Sequence, residues 1–247
     1  MCGINGFIQF ERRFPKEELA DTVSRMNSAI IHRGPDDDGL YCDDYCAIGM
    51  RRLAIIDLNS GDQPIWNERK DKLIVFNGEL YNYQEIKKNL LSKGHRFYTS
   101  SDTEVVLHAY EEYGLAELLN KMEGMFAFCI YEIAEKRWIL ARDRIGEKPL
   151  YYTFGDRWMQ FASELKSIIV AGFVKKEIDQ EAVSQFFQLT YIPAPKSVFK
   201  SVSKLLPGSY MVINASGAYS TDTYWEPNFN LNTPSSYKIT RKSFARH

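Results

Sequence analysis

Apolar and polar side chains alternate through residues 3–10, GINGFIQF, the period-two pattern of a strand. From Pro15 the period lengthens: Leu19, Val23, Met26 and Ile30 share one face of a predicted helix, which Gly34 and Pro35 of HRGPD bring to a stop. Three strand-like stretches follow, GLYC, CAIGMRRLAII and, beyond a polar turn, KLIVFNGEL. A second helix is predicted from Asn82, with Glu85 as its capping partner and Gly94 closing it. RFYT reads as a short strand. Ser101 and Glu104 then form a capping box for the helix SDTEVVLHAYEEYG, whose apolar side includes Val106, Ala109 and Tyr113. GMFAFCIYEI, RWILARD, PLYYTFG and RWMQFAS are four strands in quick succession, and connections such as AEK and GDR suit antiparallel hairpins. Short helices near SELKSIIVAG and DQEAVSQFFQL precede a return to strands in PGSYMVINASGAYSTDTYW.

Many antiparallel strands interrupted by a few amphipathic helices predict an α+β fold. Two antiparallel sheets pack face to face, and helices cover the outer faces. The basic tail SSYKITRKSFARH reads as a frayed terminus.

Composition narrows the function classes. Of the 247 residues, 45% are hydrophobic and 26% charged, as in an ordinary globular chain, and the formal net charge of −1 provides no field to gather nucleic acid or anionic lipid. No apolar run could span a bilayer and no secretory signal opens the sequence, so a cytoplasmic protein with reduced Cys2, Cys42, Cys46 and Cys129 is expected. Cys42 and Cys46, even with His32, lack the two-residue spacing and second ligand pair of a zinc site and read as hairpin cysteines. His32, His95, His108 and His247 are scattered without ligand spacing, so no metal is expected. Arg142, Asp143 and Arg144 read as a buried or half-buried charge network with no catalytic part.

The chemistry starts at the first residues, MCGINGF. If Met1 is removed, which a small second residue permits, Cys2 carries a thiol and a free α-amine. The thiol titrates ordinarily near about 8.5 and the amine near about 7.7–8.0, so the amine can take the thiol proton close to neutral pH. Taken alone, this dipeptide reads as a cysteine of no catalytic consequence. Asn77–Gly78 taken alone is an ordinary turn. Asp102 taken alone is an acid favoured by the dipole at a helix start.

In order along the chain, MCGINGF, HRGPD, RRLAIID, FNGELYNY, SDTEV, GMFAF, RDRIGEKPLYY and FASELKSI closely resemble the glutaminase domain of class II glutamine amidotransferases, in particular the asparagine synthetase B-type group. The resemblance runs from Cys2 to about Trp225, and implies a glutaminase domain over residues 2–225 and a tail or linker over 226–247. It also implies the four-layer αββα sandwich of N-terminal nucleophile (Ntn) hydrolases and a reaction in which Cys2 attacks the side-chain amide of L-glutamine, giving a thioester and ammonia, then glutamate. By the same resemblance, the Asn77 side chain and the Gly78 backbone N–H face the oxyanion. Glycine at position 78 suits close approach of substrate. Arg52 takes the α-carboxylate, Leu53, Ala54, Ile55 and Ile56 line the pocket, and Glu79 and Asp102 meet the ammonium. Arg51, its neighbour on an extended strand, should point the opposite way.

In that family the ammonia serves asparagine synthesis from aspartate, with ATP and magnesium used only by a synthetase half marked by S-G-G-x-D-S; the glutaminase reaction itself needs no cofactor. No such stretch occurs here. The expected partners are therefore L-glutamine and a synthetase domain supplied in cis or in trans, with a homodimer also open. A catalytically idle glutamine-binding or interaction module is the alternative reading.

Overall fold

The structure is a computed structural model, and it describes residues 2–54 and 60–228. The strands are β1 (Gly3–Gln9), β2 (Asp37–Cys42), β3 (Cys46–Arg52), β4 (Ile65–Trp66), β5 (Lys72–Leu80), β6 (Gly124–Glu132), β7 (Arg137–Arg142), β8 (Tyr151–Gly155), β9 (Trp158–Ala162), β10 (Ser203–Lys204), β11 (Ser209–Ile213) and β12 (Tyr219–Thr223). The helices are α1 (Lys16–Ser28), α2 (Tyr83–Ser92), α3 (Asp102–Lys121), α4 (Leu165–Ala171) and α5 (Gln180–Leu189).

The strands form two antiparallel sheets, in the orders β10-β8-β9-β1-β3-β2 and β12-β11-β7-β6-β5-β4. Side-chain alternation sorts each strand between two cores. Ile4 and Ile8 of β1 and Ile48 and Met50 of β3 meet Leu73 and Val75 of β5, Cys129 and Tyr131 of β6 and Leu140 of β7 between the sheets. On the outer face of the first sheet, Phe7, Ala47 and Ala162 pack against Leu19, Val23 and Met26 of α1 and Ile168 of α4. On the outer face of the second, Ile74, Phe76, Phe126 and Phe128 pack against Ile86 and Leu90 of α2 and Val105, Val106 and Ala109 of α3. The layer order is thus α, β, β, α, as expected. Strands covered on both faces lose the polar alternation of a half-exposed sheet, and β1 is buried at every residue.

Several local expectations change. RFYT is not a strand: Tyr98 and Thr99 donate their backbone N–H groups to the Glu104 carboxylate, at 2.8 and 2.7 Å, instead of to a ladder. The capping box is therefore half realised, since Ser101 Oγ accepts from Thr103 N while Glu104 reaches back beyond Ser101. Asn82 makes no side-chain cap of α2. Its carboxamide bonds Lys121 O and Glu123 N, tying the start of α2 to the end of α3. The third helix continues past Gly114, where φ of 74° and ψ of 171° kink it, to Lys121. The strand read as CAIGMRRLAII ends at Arg52.

Among the described residues no ion pair joins Arg142, Asp143 and Arg144, and their charges are met chiefly by backbone groups. Arg142 donates to the carbonyls of Lys148, Leu205 and Gly146, and Asp143 accepts from the N–H groups of Phe126, Ile145, Glu147 and Lys148. Arg144 donates to Asn120 O. Two buried charges here satisfy irregular backbone, a role invisible in the linear sequence. The tail expected over 226–247 lies outside the described residues from 229 onward.

Candidate active site

The antiparallel register of β1 and β3 pairs Gly3 with Arg51, so Cys2 and Arg52 face each other one step beyond the ladder. Fifty residues of sequence separate them. The C-terminal end of β5 and the N-terminus of α3 close the other side, and the resulting cavity is lined by Cys2, Arg52, Leu53, Gly78, Glu79 and Asp102 together with Gly61, Gln63, Phe76, Ser101 and Thr103. It encloses about 30 Å³, room for one or two waters.

Cys2 Sγ stands 3.4 Å from Leu53 N and 3.6 Å from Leu53 O, so the same peptide segment can donate to a thiolate or accept from a thiol. Burial pushes the thiol up from its ordinary value, against the pull of the Leu53 N–H and the Arg52 guanidinium. Arg52 is buried and donates to Asp62 Oδ1 at 2.8 Å, while the Asp62 side chain is 69% exposed. Arg51 does point elsewhere, donating to Gly34 O and pairing with Asp38. Burial raises the Glu79 carboxyl, and the neighbouring Asp102 raises it further. Burial likewise raises Asp102, against hydrogen bonds from the N–H groups of Leu80 and Thr103. Two acids with upward-shifted carboxyls, a guanidinium and a thiol around one cavity form a bipolar lining with a nucleophile at one side.

Asn77 does not line this cavity. Its side chain is buried in the row of Leu73 and Val75, and among the described residues neither Oδ1 nor Nδ2 has a hydrogen-bond partner. Leaving a buried polar group unsatisfied costs about 1–3 kcal/mol, so such a carboxamide stands out in a core. Gly78 lines the cavity, and the ladder imposes a constraint on it as well. A Cβ there would fall 2.2 Å from Met125 O and 2.7 Å from Phe126 Cα, across the β5–β6 ladder. Ala54 lies outside the cavity lining, its N–H bonded to Asp36 Oδ2 at 2.9 Å. Ile55 and Ile56 lie outside the described residues.

The fold also recruits residues that the sequence did not single out. Arg33 Nε donates to Cys2 O at 2.8 Å and its NH1 pairs with Glu164, fixing the chain end that carries the thiol. The remainder of HRGPD braces the end of β3: Asp36 N bonds Arg52 O, and a Cβ on Gly34 would lie 2.3 Å from the Arg51 carbonyl carbon. Gln63 accepts from Phe76 N and donates to Phe76 O and Thr103 Oγ1, stitching β5 to the start of α3. HRGPD is visible in the sequence as a motif whose glycine and proline stop a helix, while the partners of its Arg33 and Asp36 are set by the fold; no pattern marks Gln63.

The glutamine amidotransferase domain model matches residues 1–225. Asparagine synthetase [glutamine-hydrolyzing] 1 of Bacillus subtilis is 41% identical over 232 residues, covering 93% of this chain and 36% of the relative. The putative asparagine synthetase [glutamine-hydrolyzing] 2 of Methanocaldococcus jannaschii is 39% identical over 228 residues, covering 83% of this chain and 42% of the relative. The chain therefore spans well under half the length of these relatives. Among solved structures, glutamine phosphoribosylpyrophosphate amidotransferase from B. subtilis superposes with a TM-score of 0.67 at 20% identity, over 92% of this chain and 50% of that one, a likeness of fold.

Proposed function

Because the chain belongs to the glutamine amidotransferase domain family, we propose that it hydrolyses the side-chain amide of L-glutamine with Cys2 as nucleophile. The observation that carries this reading is the cavity that joins the Cys2 thiol to a buried guanidinium and two acids. An α-amino acid carries a carboxylate and an ammonium on one carbon and its amide at the far end of the side chain. Arg52 suits the carboxylate, and the ammonium would relieve the unfavourable burial of Glu79 and Asp102. Asp62 offers Arg52 the same kind of oxygen as a substrate carboxylate would. Glutamine entry displaces this exposed acid and widens the cavity.

With Met1 removed, the Cys2 amine takes the thiol proton and sulfur attacks the amide carbon. The oxyanion is met by the Gly78 N–H and the Asn77 carboxamide, the latter turning its orphaned donor toward it. The proton passes to the leaving nitrogen, ammonia departs, and a thioester remains. Water attacks the thioester carbon, sulfur leaves with a proton, and glutamate is released. No cofactor enters these steps. The names of the relatives extend the proposal: the ammonia serves asparagine synthesis, made by an ATP- and magnesium-dependent synthetase domain in cis or in trans, with residues 2–225 as the glutaminase unit and 226–247 as the connecting segment. A homodimer is compatible with this arrangement, as is the cytoplasm.

The test compares three forms of the purified chain by glutamate release: processed to Cys2, blocked by an uncleaved N-terminal extension, and Cys2→Ala. Turnover is expected in the first alone. Equal activity in the blocked form would remove the amine as base. Glutamine binding without turnover in the processed form would favour an idle binding module.

A further inference from the structure

Away from the thiol, three ligand-type side chains from separate segments converge. They are Glu68 just after β4, His95 in the connection from α2 to α3, and His108 within α3. One ligand atom of each lies within 4.8 Å of the others. The spacings of 27 and 13 residues form no motif, so the cluster is a product of the fold.

The imidazole nitrogens are arranged in a particular way. His108 is fully buried, and among the described residues neither its Nε2 nor His95 Nδ1 has a hydrogen-bond partner. The opposite nitrogen of each ring faces a carboxylate, His108 Nδ1 at 3.4 Å from Glu111 Oε2 and His95 Nε2 at 3.4 Å from Glu112 Oε2. A carboxylate behind one ring nitrogen orients the ring so that the other nitrogen, on giving up its proton, presents a lone pair, which is how metal-ligating histidines are usually held. On the inner side, Glu68 Oε1 stands 3.7 Å from His95 Nδ1, and Glu104 Oε1 stands 3.4 Å from His108 Nε2 without reaching hydrogen-bonding geometry.

We propose that Glu68, His95 and His108 form a site for a divalent transition-metal ion, with Zn²⁺ the best match. Two imidazoles and one carboxylate suit zinc, cobalt or nickel better than the oxygen-seeking magnesium and calcium. Around an ion held at about 2.0–2.1 Å in tetrahedral geometry, ligand atoms stand about 3.4 Å apart. The 3.7 Å separation of Glu68 and His95 is close to this, and the widest one closes by side-chain rotation. A water takes the fourth position: the Glu104 carboxylate holds Tyr98 N, Thr99 N and Thr99 Oγ1, while Glu68 Oε1, which accepts from Arg96 N, keeps a second lone pair for the ion. The site is structural. It clamps the end of β4 and the connection before α3 to α3 itself, with His108 about 9 Å along the helix from Asp102.

The same cluster could instead be held by a proton on His108 shared between Glu104 and Glu111, and the experiment separates the two occupants. The chelator-stripped full chain is titrated with Co²⁺ and followed by visible absorption, then challenged with Zn²⁺. The proposal expects one Co²⁺ per chain, ligand-field bands of a four-coordinate nitrogen and oxygen site without thiolate charge transfer, displacement by one equivalent of Zn²⁺, and a raised melting temperature. His95→Gln and Glu68→Gln, at partly exposed positions compatible with folding, should each weaken binding about tenfold or more. Absence of saturable binding, binding unchanged in either variant, or thiolate bands pointing to the cysteines would each overturn it.

Discussion

A buried carboxamide with no partner and a buried guanidinium already paired make opposite kinetic predictions. Asn77 has two unsatisfied polar atoms. If it donates to the oxyanion, Asn77→Ala lowers kcat by about 10²–10³ and changes KM less, because the bond it loses forms only as charge develops. A change confined to KM would make Asn77 a ground-state contact. Asp62, by contrast, occupies the Arg52 fork that the substrate carboxylate needs. Asp62→Ala should lower KM by about two- to fivefold at constant kcat, the range of an exposed ion pair. A raised KM would mean that Asp62 presents Arg52 to the substrate. Neither partner could be read from the linear chain: the orphan status of Asn77 and the pairing of Arg52 depend on what the fold packs around them.

At the scale of elements, α3 organises two places at once. Its N-terminus supplies Ser101, Asp102 and Thr103 to the cavity, and its middle supplies Glu104, His108 and Glu111 to the imidazole cluster. Burial alone would lower the His108 imidazole, but the neighbouring Glu104 and Glu111 carboxylates override it and hold the ring up at about 9. A folded value above the ordinary 6.5 means that the native state keeps the proton more tightly than the unfolded chain. This contribution is complete below about 6.5 and is lost as pH rises through about 9. Glu104 and Glu111 are held below the usual carboxylate range despite burial, His108 being the leading counter-influence for both, so their contribution fades on acidification. Lys72, Arg69 and Asn67 also face Glu111, and Glu68 adds its charge near His108. In the presence of a chelator, urea-unfolding stability should therefore decline between pH 6.5 and pH 9 and more steeply than in His108→Gln. Equal pH slopes would show that His108 is not the group responsible. With Zn²⁺ bound, the metal replaces that proton and the decline should flatten.

For the whole molecule, the core between the sheets joins elements that do not share a ladder. Trp138 of β7 is fully buried there beneath the first sheet's Ile4, Ile8 and Ile48, stacked on its β6 ladder partner Tyr131 with ring centroids 4.8 Å apart. Trp138→Ala should cost about 3–5 kcal/mol, read as a lower urea midpoint and Tm. Both sheets line this core, so circular dichroism and intrinsic fluorescence should shift together. Loss of one sheet's signal ahead of the other would show that the layers unfold independently.

The succession of antiparallel strand segments and the helical spacing of Leu19, Val23 and Met26 predicted two sheets with helices on their outer faces, because layer burial repeats at the period of the backbone itself, and the family resemblance implied the αββα sandwich. Cys2, Arg52, Gly78, Glu79 and Asp102 were legible through motifs, and the cavity brings all five together. The tertiary structure alone decided the rest. It placed Asn77 outside the cavity lining and Ala54 against Asp36, and explained Gly78 by the Met125 carbonyl. It brought Arg33 to the Cys2 carbonyl and turned RFYT from a strand into a segment held by Glu104. It also joined two histidines that looked scattered in the sequence. These outcomes depend on polar partners supplied by segments tens of residues away, and no local period records which carbonyl, carboxylate or ring nitrogen a folded chain will bring opposite another.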